Sequence, residues 1–250
     1  MVGLRRAVYG RFGLAALLAC VALLSVATAS CGSGEGGETA GNPETGEVAG
    51  QSDNDGGGDM EGTDAVTDEA EAKTLNPIAT IDVRDFGVMR LELFPEVAPN
   101  TVANFIYLAD RGFYDGLTFH RISGGFVVQG GDPDGNGGGG PGYTIKGEFA
   151  SNGFPNGLNH KKGVISMARV QRDNDSAGSQ FFIMLSDVKD LDGGYAAFGI
   201  LVEGYDVLEA LGEVECHARG YGDEPISPPV IASVTVDVRG AEYPDPEMIG

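Results

Sequence analysis

The 250-residue sequence contains no tryptophan, three cysteines and three histidines. Cys20, Cys31 and Cys216 are far apart, and so are His120, His160 and His217, so nothing is spaced like a metal-ligand set. Basic residues are also scarce. Sixteen Lys and Arg face 37 Asp and Glu, a formal net charge of −21. That balance argues against nucleic acid as a partner and against a polybasic membrane patch. Beyond the first thirty residues no apolar run could span a bilayer. No internal repeat is present.

What the chain does have falls into distinct stretches. Residues 1–30 carry Arg5, Arg6 and Arg11, then an apolar run from Phe12, then Thr28-Ala29-Ser30 ahead of Cys31. A basic start, an apolar middle and small residues before a boundary read as a secretory signal peptide. Small residues followed by cysteine resemble a bacterial lipobox, with Cys31 as the lipidation site, although Thr28 stands where Leu or Val is usual. Cys20 would leave too short an apolar run, and a plain signal peptide or uncleaved anchor is the alternative. The expectation is an extracytoplasmic lipoprotein held at a membrane by its lipid. With Cys31 lipidated, Cys216 has no partner for an intramolecular disulfide.

Residues 31–76 are mostly Gly, Glu, Asp, Thr and Ala and cannot bury enough surface to offset the entropy of folding; a disordered tether is expected. Its Asp53–Asp59 run lacks the glutamate that closes a calcium loop. Residues 77–240 carry the folding signals, and 241–250, with Pro244 and Pro246, read as a disordered tail.

Within the folded part, Ile78–Val83 and Val88–Leu93 alternate with period two around Asp85-Phe86-Gly87, a hairpin. Val102, Phe105, Ile106 and Ala109 recur at helical spacing behind Pro99, with Gly112 at the stop. Short apolar runs follow at Val164–Met167, Gln180–Met184, Ala197–Val202 and Ile231–Val238, with a second short helix over Tyr205–Leu211. Many short strands with Gly-rich connections and only two helices predict a mainly β protein built as an antiparallel barrel. Gly135 to Gly140 satisfies G-x-G-x-x-G, but Pro141-Gly142 follows instead of a helix, so a flexible loop is expected rather than a dinucleotide site.

The chain centres on residues 119–132. Alternation along a strand puts Phe126 and Val128 on one face, Val127 and Gln129 on the other. Arg121 would add a fixed cation beside an apolar surface and an amide. No nucleophile is paired with a base, and His120 has neither an orienting carboxylate nor a serine; a packed, hydrogen-bonded barrel histidine is expected. Such a groove suits an apolar, uncharged group beside an amide that it can polarise.

Phe119-His-Arg-Ile122, Phe126-Val-Val-Gln-Gly-Gly-Asp132, Gly178-Ser-Gln-Phe-Phe-Ile183, Leu191-Asp-Gly193 and Phe198-Gly199 occur in order and together resemble the cyclophilin-type peptidyl-prolyl cis-trans isomerases. Pro95 to Phe105 and Pro141 to Phe149 look like the bacterial branch. The resemblance covers residues 78–239. It implies a closed eight-stranded antiparallel β-barrel capped by two helices, no cofactor, proline-containing polypeptides as partners, and a monomer. It assigns Arg121 and Gln129 to catalysis. Phe126, Val127, Phe182, Leu191 and Tyr195 would form the proline pocket, and Gly137, Ala168, Arg169 and Gln180 the groove before it.

The implied chemistry fits the residues. Rotation about an X-Pro amide costs roughly 18–20 kcal/mol because resonance must be broken. A catalyst must seat the ring, exclude water and donate to the nitrogen lone pair that appears only in the twisted state. Three positions depart from the pattern. Tyr195 stands where histidine is usual, Arg169 where asparagine is usual, and Asp190 where many members carry tryptophan; weak cyclosporin binding follows. The expected function is isomerisation in exported polypeptides, assisting folding outside the cytoplasm. The alternative is a proline-binding chaperone module with little turnover.

Overall fold

The computed structural model describes residues 75–217 and 223–250. The signal-like segment, Cys31 and almost all of the expected tether lie outside them. The described residues all fall within one compact unit. Among the described residues no helix is long and apolar enough to cross a membrane.

Eight strands make one antiparallel sheet. They are β1 (Ile78–Val83), β2 (Gly87–Leu93), β3 (Arg121–Ser123), β4 (Val127–Gly130), β5 (Val164–Met167), β6 (Phe181–Met184), β7 (Ala197–Glu203) and β8 (Ile231–Asp237). Their order is β3-β4-β6-β5-β7-β2-β1-β8. The β1–β2 pair is the expected hairpin, and Asp85 at its turn takes a left-handed φ of 66°.

The closed barrel expected from the resemblance is not what forms. The sheet is an open half-barrel whose edges are β3 and β8. Across the gap the chain ahead of β3 meets the start of β8: Gly116 N–H donates to Ile231 O at 2.8 Å, Ile231 N–H to Leu117 O at 2.8 Å and Phe119 N–H to Pro229 O at 2.9 Å. The physical reason is length. β3 has three residues, too few to reach along β8, and Gly124 and Gly125 turn the chain away after Ser123.

The concave face holds the core. Ile122, Val128, Ile165, Phe181, Ile183 and Phe198 point into it with the helix residues Val102, Phe105 and Leu108. Phe105 packs edge-on to Phe181 at 5.7 Å between centroids, and so does Tyr114 at 5.6 Å. Each such buried side chain contributes roughly 1.5–3 kcal/mol. The Tyr114 hydroxyl is buried with no hydrogen-bond partner among the described residues, and burial pushes its pKa well up.

Helix α1 (Pro99–Asp110) starts on its proline and lies against β8; α2 (Tyr205–Gly212) packs on β2, β3 and β4. No residue of its own caps α1. The buried Glu148 does so from a distant loop, accepting from the Asn100 and Thr101 N–H groups at 3.0 and 2.8 Å and from the Thr101 hydroxyl at 2.7 Å. A carboxylate there meets the free N–H groups and the positive end of the helix dipole.

The expected disordered tail is ordered at its end. Thr144 and Ile249 exchange backbone hydrogen bonds at 2.9 and 2.7 Å, and the Asn100 amide pairs with the Glu247 main chain. Main-chain groups do the docking, so polar, Pro-rich composition did not reveal it.

Candidate active site

The convex face carries a second, smaller apolar cluster. Val127, Val164, Phe182, Met184 and Ala197 are buried in it, and Phe126, Ala168, Leu191 and Tyr195 pack against it. Cross-strand register explains the grouping. Arg121 on β3 is opposite Gln129 on β4, Gln129 is opposite Phe182 on β6, and Phe182 is opposite Ser166 on β5. Opposed residues share a face, so one row lays a cation, an amide, a phenyl ring and a hydroxyl side by side.

Alternation placed Val127 and Gln129 together correctly, and it failed for Phe126. That residue lies in the turn ahead of β4, after Gly125 at φ 73°, so the pleat does not govern it. Its ring joins the Val127 cluster on the convex face while Val128 points to the core. The Arg121 guanidinium sits 5.9 Å from the Phe126 centroid. Phe182 meets Tyr195 edge-on at 5.7 Å. Phe126, Val127, Phe182, Leu191 and Tyr195 thus gather in one cluster beside Arg121.

A line of polar contacts crosses the site. Arg121 Nη1 donates to Gln129 Oε1 at 3.4 Å, Gln129 Nε2 to Gln180 Oε1 at 2.9 Å, and Gln180 Nε2 to Gly139 O at 2.9 Å. The glycine loop is therefore tied in through Gly139, while Gly137, at φ 87°, is exposed. The buried Asp132 carboxylate shapes that loop by accepting from the N–H groups of Asp134 at 2.9 Å, Asn136 at 3.0 Å and Gly137. Ala168 N–H donates to Gln180 O at 2.9 Å, which holds the opposite rim.

Arg169 is a strap rather than a free cation. Its Nε donates to Gly194 O at 2.9 Å and its Nη1 to Val170 O and Gln171 O, and its plane lies 5.0 Å from the Phe149 centroid and 4.8 Å from that of Tyr195.

His120 is packed and buried as expected; neither ring nitrogen meets strict hydrogen-bond geometry among the described residues, and the main chain of Thr118 is the polar group that approaches the ring. Burial lowers its pKa, against the pull of Asp132. The Asp-His-Ser grouping absent around His120 occurs instead at His160, whose Nδ1 is 3.1 Å from Asp192 Oδ1 and whose Nε2 is 3.1 Å from Ser166 Oγ. Ser166 is fully buried and the His160 side chain is sealed, so no substrate could reach this hydroxyl. The imidazole stacks on Phe182 at 6.0 Å and braces it from behind.

Asp223 was not anticipated at all. Its Oδ2 accepts from Arg121 Nε at 3.1 Å and Nη2 at 2.8 Å. The two residues are 102 apart in the chain, and no local pattern links them.

The arrangement can seat an apolar ring against Phe126 and Phe182 while a permanently charged donor stands over its edge. Nothing in it can act as a nucleophile or exchange a proton near neutral pH.

Comparison with known proteins agrees with that chemistry. Residues 78–236 match the family described as cyclophilin type peptidyl-prolyl cis-trans isomerase/CLD. A peptidyl-prolyl cis-trans isomerase of Helicobacter pylori is 48% identical over 148 residues, covering 58% of this chain and 85% of that protein. Peptidyl-prolyl cis-trans isomerase B of Bacillus subtilis is 49% identical over 124 residues, covering 50% and 82%. The crystal structure of a Cryptosporidium parvum cyclophilin-type isomerase, obtained in the presence of the dipeptide Ala-Pro, superposes with a TM-score of 0.58 at 31% identity, covering 64% of this chain and 98% of that one. The sheet, the row of Arg121, Gln129 and Phe182, and the family match lead to one conclusion: this chain belongs to the cyclophilin-type peptidyl-prolyl cis-trans isomerases.

Proposed function

We propose that this isomerase acts on X-Pro bonds of exported polypeptides and assists their folding outside the cytoplasm, tethered to a membrane by a lipid on Cys31. The observation that carries the catalytic half is the Arg121 guanidinium beside the apolar cluster of Phe126, Phe182 and Leu191. The proline ring enters that cluster. Arg121 donates to the amide nitrogen once rotation has freed its lone pair, an interaction unavailable to the planar bond. Gln129 steadies Arg121 and meets the substrate carbonyl, and Ala168, Arg169, Gln180 and the Gly137 loop line the path of the preceding residues. Differential stabilisation of about 4–7 kcal/mol gives a thousand- to hundred-thousand-fold acceleration.

The export half is supported by the basic, apolar and small-residue order of residues 1–30 and by Cys31 directly after it. The test is an isomerisation assay on a short X-Pro peptide with the purified chain and its Arg121→Ala variant. Fast exchange abolished by the substitution is expected, and equal rates would favour a proline-binding module without turnover. Mass spectrometry of the mature N-terminus checks the anchor. A lipid-modified Cys31 is expected there, and an unmodified terminus elsewhere would remove it.

A further inference from the structure

We propose that Asp223 is a positioning residue for Arg121, fixing the guanidinium plane over the proline site; this rests on the catalytic reading of Arg121. Both contacts go to one oxygen, Oδ2, from Nε at 3.1 Å and from Nη2 at 2.8 Å. Gln129 holds the opposite nitrogen, Nη1. An arginine has five N–H donors. Three are engaged by these side chains, which leaves one on each terminal nitrogen for substrate. A long side chain held at both ends keeps little rotamer freedom, so the ordering cost is met before substrate arrives.

The main chain is built to deliver this carboxylate. β3 is an edge strand, and Ile122 N–H donates outward to Asp223 O at 2.7 Å. A short ribbon backs the contact: Cys216 pairs with Pro225, His217 N–H donates to Glu224 O and Ile226 N–H to Glu215 O, both at 2.9 Å. Ile122 points into the core, so its neighbour Arg121 points the other way, towards the site. Asp223 therefore covers the sheet edge with its backbone and grips the guanidinium with its side chain. The pair is partly exposed, each side chain at 38%, so its value is in orientation more than in stability.

The test uses the full chain with Asp223→Ala and Asp223→Asn, assayed on a short X-Pro peptide, with the Arg121 Nε–H resonance followed by NMR. Asp223→Ala is expected to lower kcat about tenfold with KM nearly unchanged, as for a lost charge-assisted contact, and to expose the Nε–H to fast solvent exchange. Asp223→Asn keeps an acceptor oxygen and is expected to restore most of kcat. Adding Asp223→Ala to Arg121→Ala should change nothing further. Parent-like or faster turnover by Asp223→Ala overturns the proposal, and so does a loss of kcat with the Nε–H signal unmoved. An Arg121→Ala variant as active as the parent would sink the reading of Arg121 itself. An inactive Arg121→Ala beside a fully active Asp223→Ala sinks only the role of Asp223.

Discussion

The guanidinium of Arg169 lies 4.8 Å from the ring centroid of Tyr195, while its Nε donates to the carbonyl of Gly194 just ahead of that ring. Two of the three departures from the family pattern are thus one physical unit. A cation braces the aromatic wall that stands where the family's usual histidine would be.

Arg169→Ala should loosen that wall. A cation–π contact of about 0.5–2 kcal/mol predicts a rise in KM of roughly twofold to thirtyfold for a proline peptide, with kcat less affected. Arg169→Lys should not rescue it, since an ammonium cannot serve the carbonyls and both rings at once. Steady-state isomerisation kinetics would show the split, and a parent-like KM in Arg169→Ala would contradict it.

Tyr114→Phe should be neutral or stabilising, because it removes a buried hydroxyl that has no partner among the described residues. Tyr143→Phe makes the contrast. Its hydroxyl donates to Asn104 Oδ1 at 2.8 Å, and burial pushes its pKa up to about 12. Losing that contact should cost about 0.5–1.5 kcal/mol in urea unfolding. Equal costs for the two variants would show that Tyr114 has a partner after all.

Acid should destabilise the fold before any carboxylate is neutralised. Burial lowers the pKa of both His120 and His160 from 6.5. Above 6.5 the folded and unfolded chains bind the same protons at these sites. Below it the unfolded chain gains protons that the folded chain refuses, so stability falls with pH until the folded pKa values are passed. Urea midpoints at pH 7.5 and 5.5 should show the drop, and His160→Gln should reduce its slope. A flat profile over that interval would rule the effect out.

Much of this fold could be read from residue order. The hairpin, both helices and most strands follow from period-two and helical spacing, because those signals are local. Phe126 was misplaced because it sits one residue outside β4, where alternation stops. Whether the sheet closes depends on how far β3 and β8 reach, and no window of sequence contains both. The residues that gather beside Arg121 lie in short motifs, whereas Asp223 does not, since only the three-dimensional crossing at Ile122 brings it near Arg121. The brace of His160 and Ser166 behind Phe182 left one faint sign, a serine between apolar residues of β5.

Glu148→Ala should cost about 2–3 kcal/mol, since it strips a charged acceptor from two helix N–H groups and a hydroxyl. Glu148→Gln keeps one acceptor oxygen and should fall between. Denaturant midpoints decide it, and a loss below about 0.5 kcal/mol would mean water replaces the carboxylate.

The pairing of β1 with β8 also has a temporal meaning. During synthesis the first strand emerges early, yet its neighbour is the last strand to appear, so the hairpin must wait with one flank bare. Long-range partners of this kind make assembly slow. This isomerase therefore has to survive a delay of its own, open along the seam that only its final strand can fill.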